Sequence, residues 1–576
     1  MKKNFVRTRW FFTMLLFVTT MIMPSMMWAK SISPTRPNGE GTAENPYQIG
    51  TAAELYWFAG LVNGTLVDVE KDASANAKLM NDITVNTGVL DTNKDLVSGS
   101  DLTEWEPIGT SDVPYTGTFE GKGYTISGLY FNNPTSYYVG LFGCIGANGK
   151  ISNVGVLDSY FQFRALGGGV CGMNKNGELQ NCSNSSTVIC NMQDGTGGVC
   201  GYNSKGTVRD CKNTGSARGK APLGGVCGVN NSGIIENCFN EGIVSVTVTS
   251  FGVGGVCGNN YSGKIKCSYN TASVSGQYNV GGVCGSTNHG TITNCYYLSN
   301  TATDGIGGRA DVSGKAEEMS KEHFESGEMA WMLNGKGLGE QVWGQHLGID
   351  EYPVPGSAYK VIKAAQGDND TYWATFSNLK NDVTLSVPSD RTLNVYNATV
   401  SGGKMTLTER DYQVAKEEGV LLKTDGEYVN AKVNKTNELA AASSYENHLV
   451  ATPAEAKTVT ETDYILYRLT YNDAIHKDRL GFYLGSSEGK SLKATPGKAY
   501  LKVSVNEAKD PSSAALTRSF VFGGGSETTG IDEITIMGTD VQRHGTIEGI
   551  FDLQGRKISN PTKGIYIQNN KKVIIK

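Results

Sequence analysis

Ten of the chain's twelve cysteines stand in five pairs: Cys171/Cys182, Cys200/Cys211, Cys227/Cys238, Cys257/Cys267 and Cys284/Cys295. The partners of a pair lie 11 residues apart, except for one separation of 10, and the first members follow one another at 29, 27, 30 and 27 residues. Thiols at so regular a spacing could ligate a metal, form disulfides or fill an apolar interior. Zinc thiolate sites use C-x-x-C pairs, and none occurs here, so no metal is expected on these residues. The other two chemistries stay open, because neighbours in a stacked repeat can meet the Cα separation of about 4.4–6.8 Å that a bridge needs. One unit without the pairing has Phe142 and Val154 at the two equivalent positions. Those side chains can only pack, so the slots require apolar bulk first. Cys144 and Cys190 lie outside the pairs and are expected to be unpaired.

Other reactive residues are sparse. The six histidines, His289, His323, His346, His448, His476 and His544, are scattered, and no H-E-x-x-H occurs, which excludes zinc proteolysis of that type. No phosphate-binding loop of the G-x-x-x-x-G-K-[ST] kind is present, and no serine-nucleophile elbow is expected. Glycan cleavage needs two facing carboxylates. Asp194, Asp210, Glu236 and Glu241 do not share one position of the repeat. The segment "DTNKDLVSGSD" offers oxygen ligands at Asp91, Asn93 and Asp95, as half a calcium loop would. Its sixth position is Leu96 and its twelfth Leu102, so a solvated polar loop is the expectation. Aromatic rings remain as binding candidates. Phe239 and Tyr296 directly follow inward cysteines and should point outward, and Tyr202, Tyr261 and Tyr278 lie in or near turns. A row of exposed rings could take a glycan or a protein strand.

The cysteine spacing belongs to a repeat. Each unit reads as three short β-like pieces: Gly-Gly-Val-Cys-Gly, a turn such as "VNNSG", a piece such as "IIENC", a corner such as "FNEG" and a last apolar piece. A period of this length means a solenoid or a propeller, and a four-stranded propeller blade needs about 40 residues. Three strands in a shorter unit make one coil of a parallel β-helix. Six coils about 4.8 Å apart make a rod about 29 Å long before its caps. Leu179, Val208, Ile235 and Ile292 sit three residues before their cysteines, so the chain must bend between them for both to face inward. The residue before the cysteine is Asn181, Asp210, Asn237 or Asn294, types that tolerate left-handed backbone. The fourth unit has Lys266 there and one residue fewer. Asn174, Asn203, Asn230 and Asn260 form another column, able to hydrogen-bond from coil to coil.

Phrases such as "VGLFG", "GGVCG" and "GTITNC" resemble the GLUG-motif repeat of bacterial surface proteins, which include some IgA-cleaving metallopeptidases. "GEGTAENPYQIGTAAELYWFAGLVNG" and "WEPIGT" look like the start of such arrays. The resemblance covers about residues 39–360. It implies an all-β fold with a right-handed parallel β-helix, and it implies no activity.

Around the repeats at 140–297, residues 39–139 read as an N-terminal cap with first coils, and 298–359 as the C-terminal cap. Thr51-Ala52-Ala53-Glu54 is a capping-box pattern, and Leu55, Phe58, Ala59 and Val62 follow helical spacing, so a helix over 51–63 should plug the first coil. Longer alternating strands such as "VTLSVP" and "GVLLKT" over 360–525 read as a β-sandwich. Residues 527–576 end in "GTIEGIFDLQGRKISNPTKGIYIQNNKKVIIK". That tail resembles the C-terminal sorting domain of type IX secretion at Gly555-Arg556-Lys557, Lys563–Ile567 and the basic end Lys571, Lys572 and Lys576. The resemblance implies recognition by outer-membrane secretion machinery. A plain terminal β-hairpin module is the other reading.

Residues 1–29 carry Lys2, Lys3, Arg7 and Arg9, then an apolar run to about Met23, and they end on Ala29, the pattern of a signal peptide. No later segment has the roughly 18 apolar residues of a membrane-spanning helix. A net charge of -5 excludes the basic footprint of a nucleic-acid binder. Glycine, at 73 of 576 residues, is nearly twice its ordinary share of about 7%. With many Val, Ile, Tyr and Phe residues, this means turn-dense β structure. The expectation is an exported, non-catalytic protein without cofactors, at the surface of a Gram-negative bacterium or outside it. It would bind a host protein or a glycan as an adhesin does. A structural stalk and a polysaccharide-active enzyme are the alternatives.

Overall fold

The computed structural model describes residues 32–522, apart from 98–100, 193, 221, 247–250, 310–312, 337–340, 368–369, 435, 437–438, 440–445 and 473–475, together with five short strands beyond 533. The expected signal peptide at 1–29 and much of the tail lie outside the described residues. The chain forms two compact units that meet at Ser357 and Ala358.

The first unit is a parallel β-solenoid of about eight turns. One of its sheets holds nine parallel strands, Tyr47–Ile49, Ala77–Leu79, Thr118–Glu120, Lys150–Ser152, Glu178–Gln180, Thr207–Arg209, Ile234–Glu236, Lys264–Lys266 and Thr291–Thr293. The register stacks one residue from each strand. Tyr47, Ala77, Phe119, Ile151, Leu179, Val208, Ile235, Ile265 and Ile292 form a single inward column. All nine are buried: in the later seven strands this is the middle residue, and in Tyr47–Ile49 and Ala77–Leu79 it is the first, whose alternation puts the two ends inward. The rod is therefore longer than the six coils read from the cysteines, because the segment before residue 140 also winds rungs.

The Gly-Gly-Val-Cys-Gly phrase has a steric cause. The coils enclose a main core, with Cys, Val, Leu and Ile along the repeats and aromatic rings in the first turns, and the later coils also form a smaller satellite core of Ala217, Leu223, Val244, Val253 and Val274. The chain crosses from one to the other at the paired glycines. A Cβ on Gly225 would lie 2.1 Å from the Gly255 carbonyl oxygen and 2.2 Å from the Asn240 side chain. Gly198 and Gly255 meet their coils' asparagines in the same way.

Helix α1 (Ala52–Asn63) starts on Thr51, whose side chain accepts from the Glu54 amide while the Glu54 carboxylate accepts from the Thr51 amide. Gly64 ends it in left-handed backbone. Leu55, Phe58, Ala59 and Val62 are buried, and the Phe58 ring lies 6.0 Å from both Tyr115 and Phe119 at the first rungs. Two short helices, α2 (Lys321–Glu325) and α3 (Glu328–Leu333), follow the last rung.

The second unit packs three antiparallel layers. Tyr359–Lys363, Tyr428–Val433, Val383–Ser386 and Gln413–Val414 form one sheet. The middle sheet contains Tyr372–Ser377, Gly419–Thr424, Leu393–Ser401 and Lys404–Arg410, with Ile534–Met537 parallel at its edge. A third sheet contains Leu449–Ala451, Ala499–Ser504, Tyr464–Asn472, His476–Leu484 and Ser519–Val521. Val420 and Leu422 face one core and Leu421 the other. Burial on both faces explains the unbroken apolar run there, and it adds a layer to the sandwich expected. The last four strands, Ile550–Phe551, Lys557–Ile558, Gly564–Gln568 and Lys571–Ile575, form an antiparallel sheet.

Candidate interaction face of the solenoid

The first members of the cysteine pairs are one rung apart: Phe142, Cys171, Cys200, Cys227, Cys257 and Cys284 pair in register. All five of these thiols are free and fully buried. Burial pushes Cys171, Cys227 and Cys257 well above the ordinary thiol range. It raises Cys144, outside the pairs, to about 11. A thiolate is the reactive form, so Cys171, Cys227 and Cys257 are chemically quiet, whereas hydrogen bonds from Cys171 and Cys227 pull Cys200 between them below the ordinary range.

The second column contains a correction. Cys182, Cys211 and Cys238 are buried on successive rungs and Cys295 two rungs after Cys238, but Cys267 is not in line with them. Ser268 takes the slot: its hydroxyl accepts from the Cys238 amide and donates to the Lys266 carbonyl. Cys267 is half-buried at φ 49°, in the left-handed corner shared by Asn153, Asn181, Asp210, Asn237 and Asn294. The fourth unit therefore has no missing residue. Its cysteine sits on the corner, and the separation of 10 marks that shift.

Two asparagine ladders run along the rod. Asn174 donates to Asn203 at 3.0 Å, Asn203 to Asn230 at 2.9 Å and Asn230 to Asn260 at 2.9 Å. A second ladder, missed in the sequence reading, joins Asn184, Asn213, Asn240 and Asn270 at 2.9, 2.7 and 2.7 Å. The "KN", "FN" and "YN" dipeptides were its only signal.

The candidate aromatic residues part company. Phe239, Tyr269 and Tyr296 do stack outward from the rungs, one above the next. They are nevertheless buried, which removes Phe239 and Tyr296 as ligand contacts. The segment after the last rung runs back along this side. Trp343 lies 5.9 Å from Phe239, Phe324 lies 5.5 Å from Tyr269, and the Tyr269 hydroxyl donates to the Pro353 carbonyl. Tyr202 is half-buried, its oxygen accepting from Asn231. Tyr261 is 41% exposed and accepts from Asn259, and Tyr278 is 46% exposed.

Tyr278 has a partner that the sequence reading missed. Phe251 pairs with it in register and stacks on it at 5.1 Å and 18°, with 60% of its own surface exposed. Val139, Gly167, Thr196, Leu223 and Val253 follow one another along the same edge, and Tyr137 precedes the first as Phe251 precedes the last. Tyr137 is exposed with Arg164 over its ring at 5.3 Å. Four rungs separate the two groups, about 19 Å.

The candidate acidic groups other than Asp194 are engaged, Asp210 accepting from the Asn237 side chain. Asp91 accepts from the Asn93 and Asp95 amides, closing its own turn. Arg218 pairs with the Asp95 carboxylate and donates to the Asn93 carbonyl. A guanidinium thus stands against the loop where a calcium ion would be sought. On the solenoid's outer face Glu178 lies between Lys150 and Arg209, Glu236 pairs with Lys266 and Glu241 with Lys212.

In the second unit Glu446, His448 and Glu507 bring ligand atoms within 4.8 Å of one another. His448 Nδ1 accepts from the Val400 amide, so Nε2 carries the ring proton and faces Glu446 at 3.6 Å. A metal on Nε2 would need the opposite tautomer, so these residues do not fit an ion. Gly485-Ser486-Ser487-Glu488-Gly489 has the spacing of a nucleophile elbow, contrary to the sequence reading. It is a turn after the strand His476–Leu484 and leads into the strand Ser491–Ala494. No helix follows the motif's central Ser487, and its neighbour Ser486 accepts from the Ser491 amide. The strand-to-helix geometry that exposes such a serine is not there.

No family model matches the chain. Over 148 residues, 25% of its length, it is 34% identical to a protein of Evansella cellulosilytica named "Putative Gly-rich membrane protein". Over 164 residues, 27% of its length, it is 29% identical to halomucin of Haloquadratum walsbyi. These stretches are 15% and 2% of those proteins, so the chain spans only a small part of the curated relatives it matches. Among solved structures it is similar to a "putative immunoglobulin A1 protease" from Bacteroides ovatus. The TM-score is 0.37 at 20% identity, over 56% of this chain and 95% of that one.

Proposed function

We propose that the chain is an exported, surface-displayed or secreted repeat protein whose solenoid presents a binding edge to a host protein or a glycan, without catalysis. One observation carries this reading: the stacked Phe251–Tyr278 pair and the Tyr137–Arg164 pair stand exposed on one edge of a rod whose coils are pinned by ladders. Flat exposed rings suit the apolar face of a sugar or a peptide side chain. The names of the two relatives, a Gly-rich membrane protein and a halomucin, agree with life at a cell surface. GLUG-type repeats and a type IX sorting tail fit the same picture. Outer carboxylates held by cations one rung away argue against an acid–base pair on that face. No helix among the described residues is long and apolar enough to cross a membrane.

The full chain should be applied to glycan and matrix-protein arrays beside a Phe251→Ala/Tyr278→Ala double variant. Binding lost in the variant at unchanged melting temperature supports the edge. Binding retained by the variant refutes it. Silence of both chains on every array favours the stalk.

A further inference from the structure

The second unit contains a cavity of about 370 Å³ where the middle sheet's edge meets the third sheet. That volume suits a small organic molecule rather than a bare ion. Its charge is one-sided. Lys363, Arg468, Lys493 and Lys498 line it, and no carboxylate among the described residues does, in a chain whose net charge is -5. Lys363 is answered by Glu427 at 2.8 Å. Arg468, Lys493 and Lys498 make no ion pair among the described residues.

Lys498 is the telling residue. Its backbone is held firmly: the carbonyl accepts from the Ser377 and Thr452 hydroxyls, and the amide donates to Thr452. Its ammonium has no partner among the described residues, and although the residue as a whole is half-buried, desolvation lowers its pKa below the ordinary lysine range. An unpaired, desolvated charge opposes folding, and such groups concentrate where a ligand supplies the missing partner. Trp373, Leu480 and Leu492 give the cavity apolar walls, and Thr495 adds a hydroxyl. Cations over such walls match a molecule with one acid group on a partly apolar body.

We propose that this cavity binds a small organic anion of monosaccharide size, its acid group held by Lys498 and Arg468. The site is independent of the solenoid edge.

Calorimetric titration of the full chain at low salt tests it. The probes are glucuronate, N-acetylneuraminate and N-acetylglucosamine 6-sulfate, each against its uncharged counterpart: glucose, N-acetylmannosamine and N-acetylglucosamine. At least one acid is expected to bind about tenfold or more tighter than its counterpart and to weaken as salt rises. Which acids bind separates carboxylate from sulfate recognition. Lys498→Met should abolish binding and raise the melting temperature, since it removes an unpaired charge. Arg468→Gln, at an exposed position, should weaken binding about tenfold with melting unchanged. The proposal is overturned if no acid binds up to about 10 mM, if the uncharged sugars bind equally well, or if binding survives both substitutions.

Discussion

At the scale of single residues the solenoid spends its reactive groups on structure. Eleven of the twelve cysteines are buried, and Cys267 alone is half-buried on its corner. Alkylation of the native chain without reductant should therefore modify Cys267 first and the others only after unfolding. Mass spectrometry in denaturant should then find all twelve thiols modified. A mass showing bridges would contradict the free-thiol columns. The same burial sets an alkaline limit. A thiol that keeps its proton in the fold, such as Cys144 near 11 or Cys295 near 12, loses it near 9 once unfolded. Above the unfolded value, then, the unfolded chain binds fewer protons than the native one, and stability falls as pH rises. Each such thiol contributes a slope of about 1.4 kcal/mol per pH unit until its folded pKa is reached. Denaturant midpoints should be flat below about pH 8 and drop steeply between about pH 9 and 12. A midpoint unchanged to pH 11 would show that the thiols are not protected.

At the scale of the element each coil answers one question: how the backbone turns without leaving polar groups bare. The asparagine ladders satisfy the inner corners. The Asn203 amide serves both the Gly206 carbonyl and Asn230 on the next rung. The left-handed corners fall to Asn or Asp wherever the cysteine column is regular, and to Cys267 where it slips. The paired glycines let the chain pass from the main core to the satellite core close against the asparagines and the next rung. A methyl group at Gly225 would have to displace backbone on the next rung, not a flexible side-chain tip. Gly225→Ala should cost about 3 kcal/mol or more, read as a lower denaturant midpoint of the full chain. Gly123→Ala, where a Cβ would meet nothing within 4 Å but the backbone is at φ 85°, should cost only about 1 kcal/mol. Equal costs would mean that the crossing is looser than these contacts.

For the whole molecule, the division at Ser357 and Ala358 leaves each unit with its own core. A chain ending at Ser357 should keep the solenoid's circular-dichroism melt at the full chain's temperature, and loss of that transition would show that the second unit is needed for folding. The sequence by itself determined the coil: its period, its inward columns and its left-handed corners. Each of these is dictated by contact with an identical neighbour one rung away, so it must recur in the text. The tertiary structure alone decided what is accessible. Phe239 and Tyr296 point outward as their spacing requires, yet a segment from beyond the last rung lies over that column. Arg218 reaches Asp95 across more than a hundred residues, and the Tyr269 hydroxyl reaches the Pro353 carbonyl. Such contacts join dissimilar segments once each. They leave no periodic trace, and only the folded chain brings their partners together.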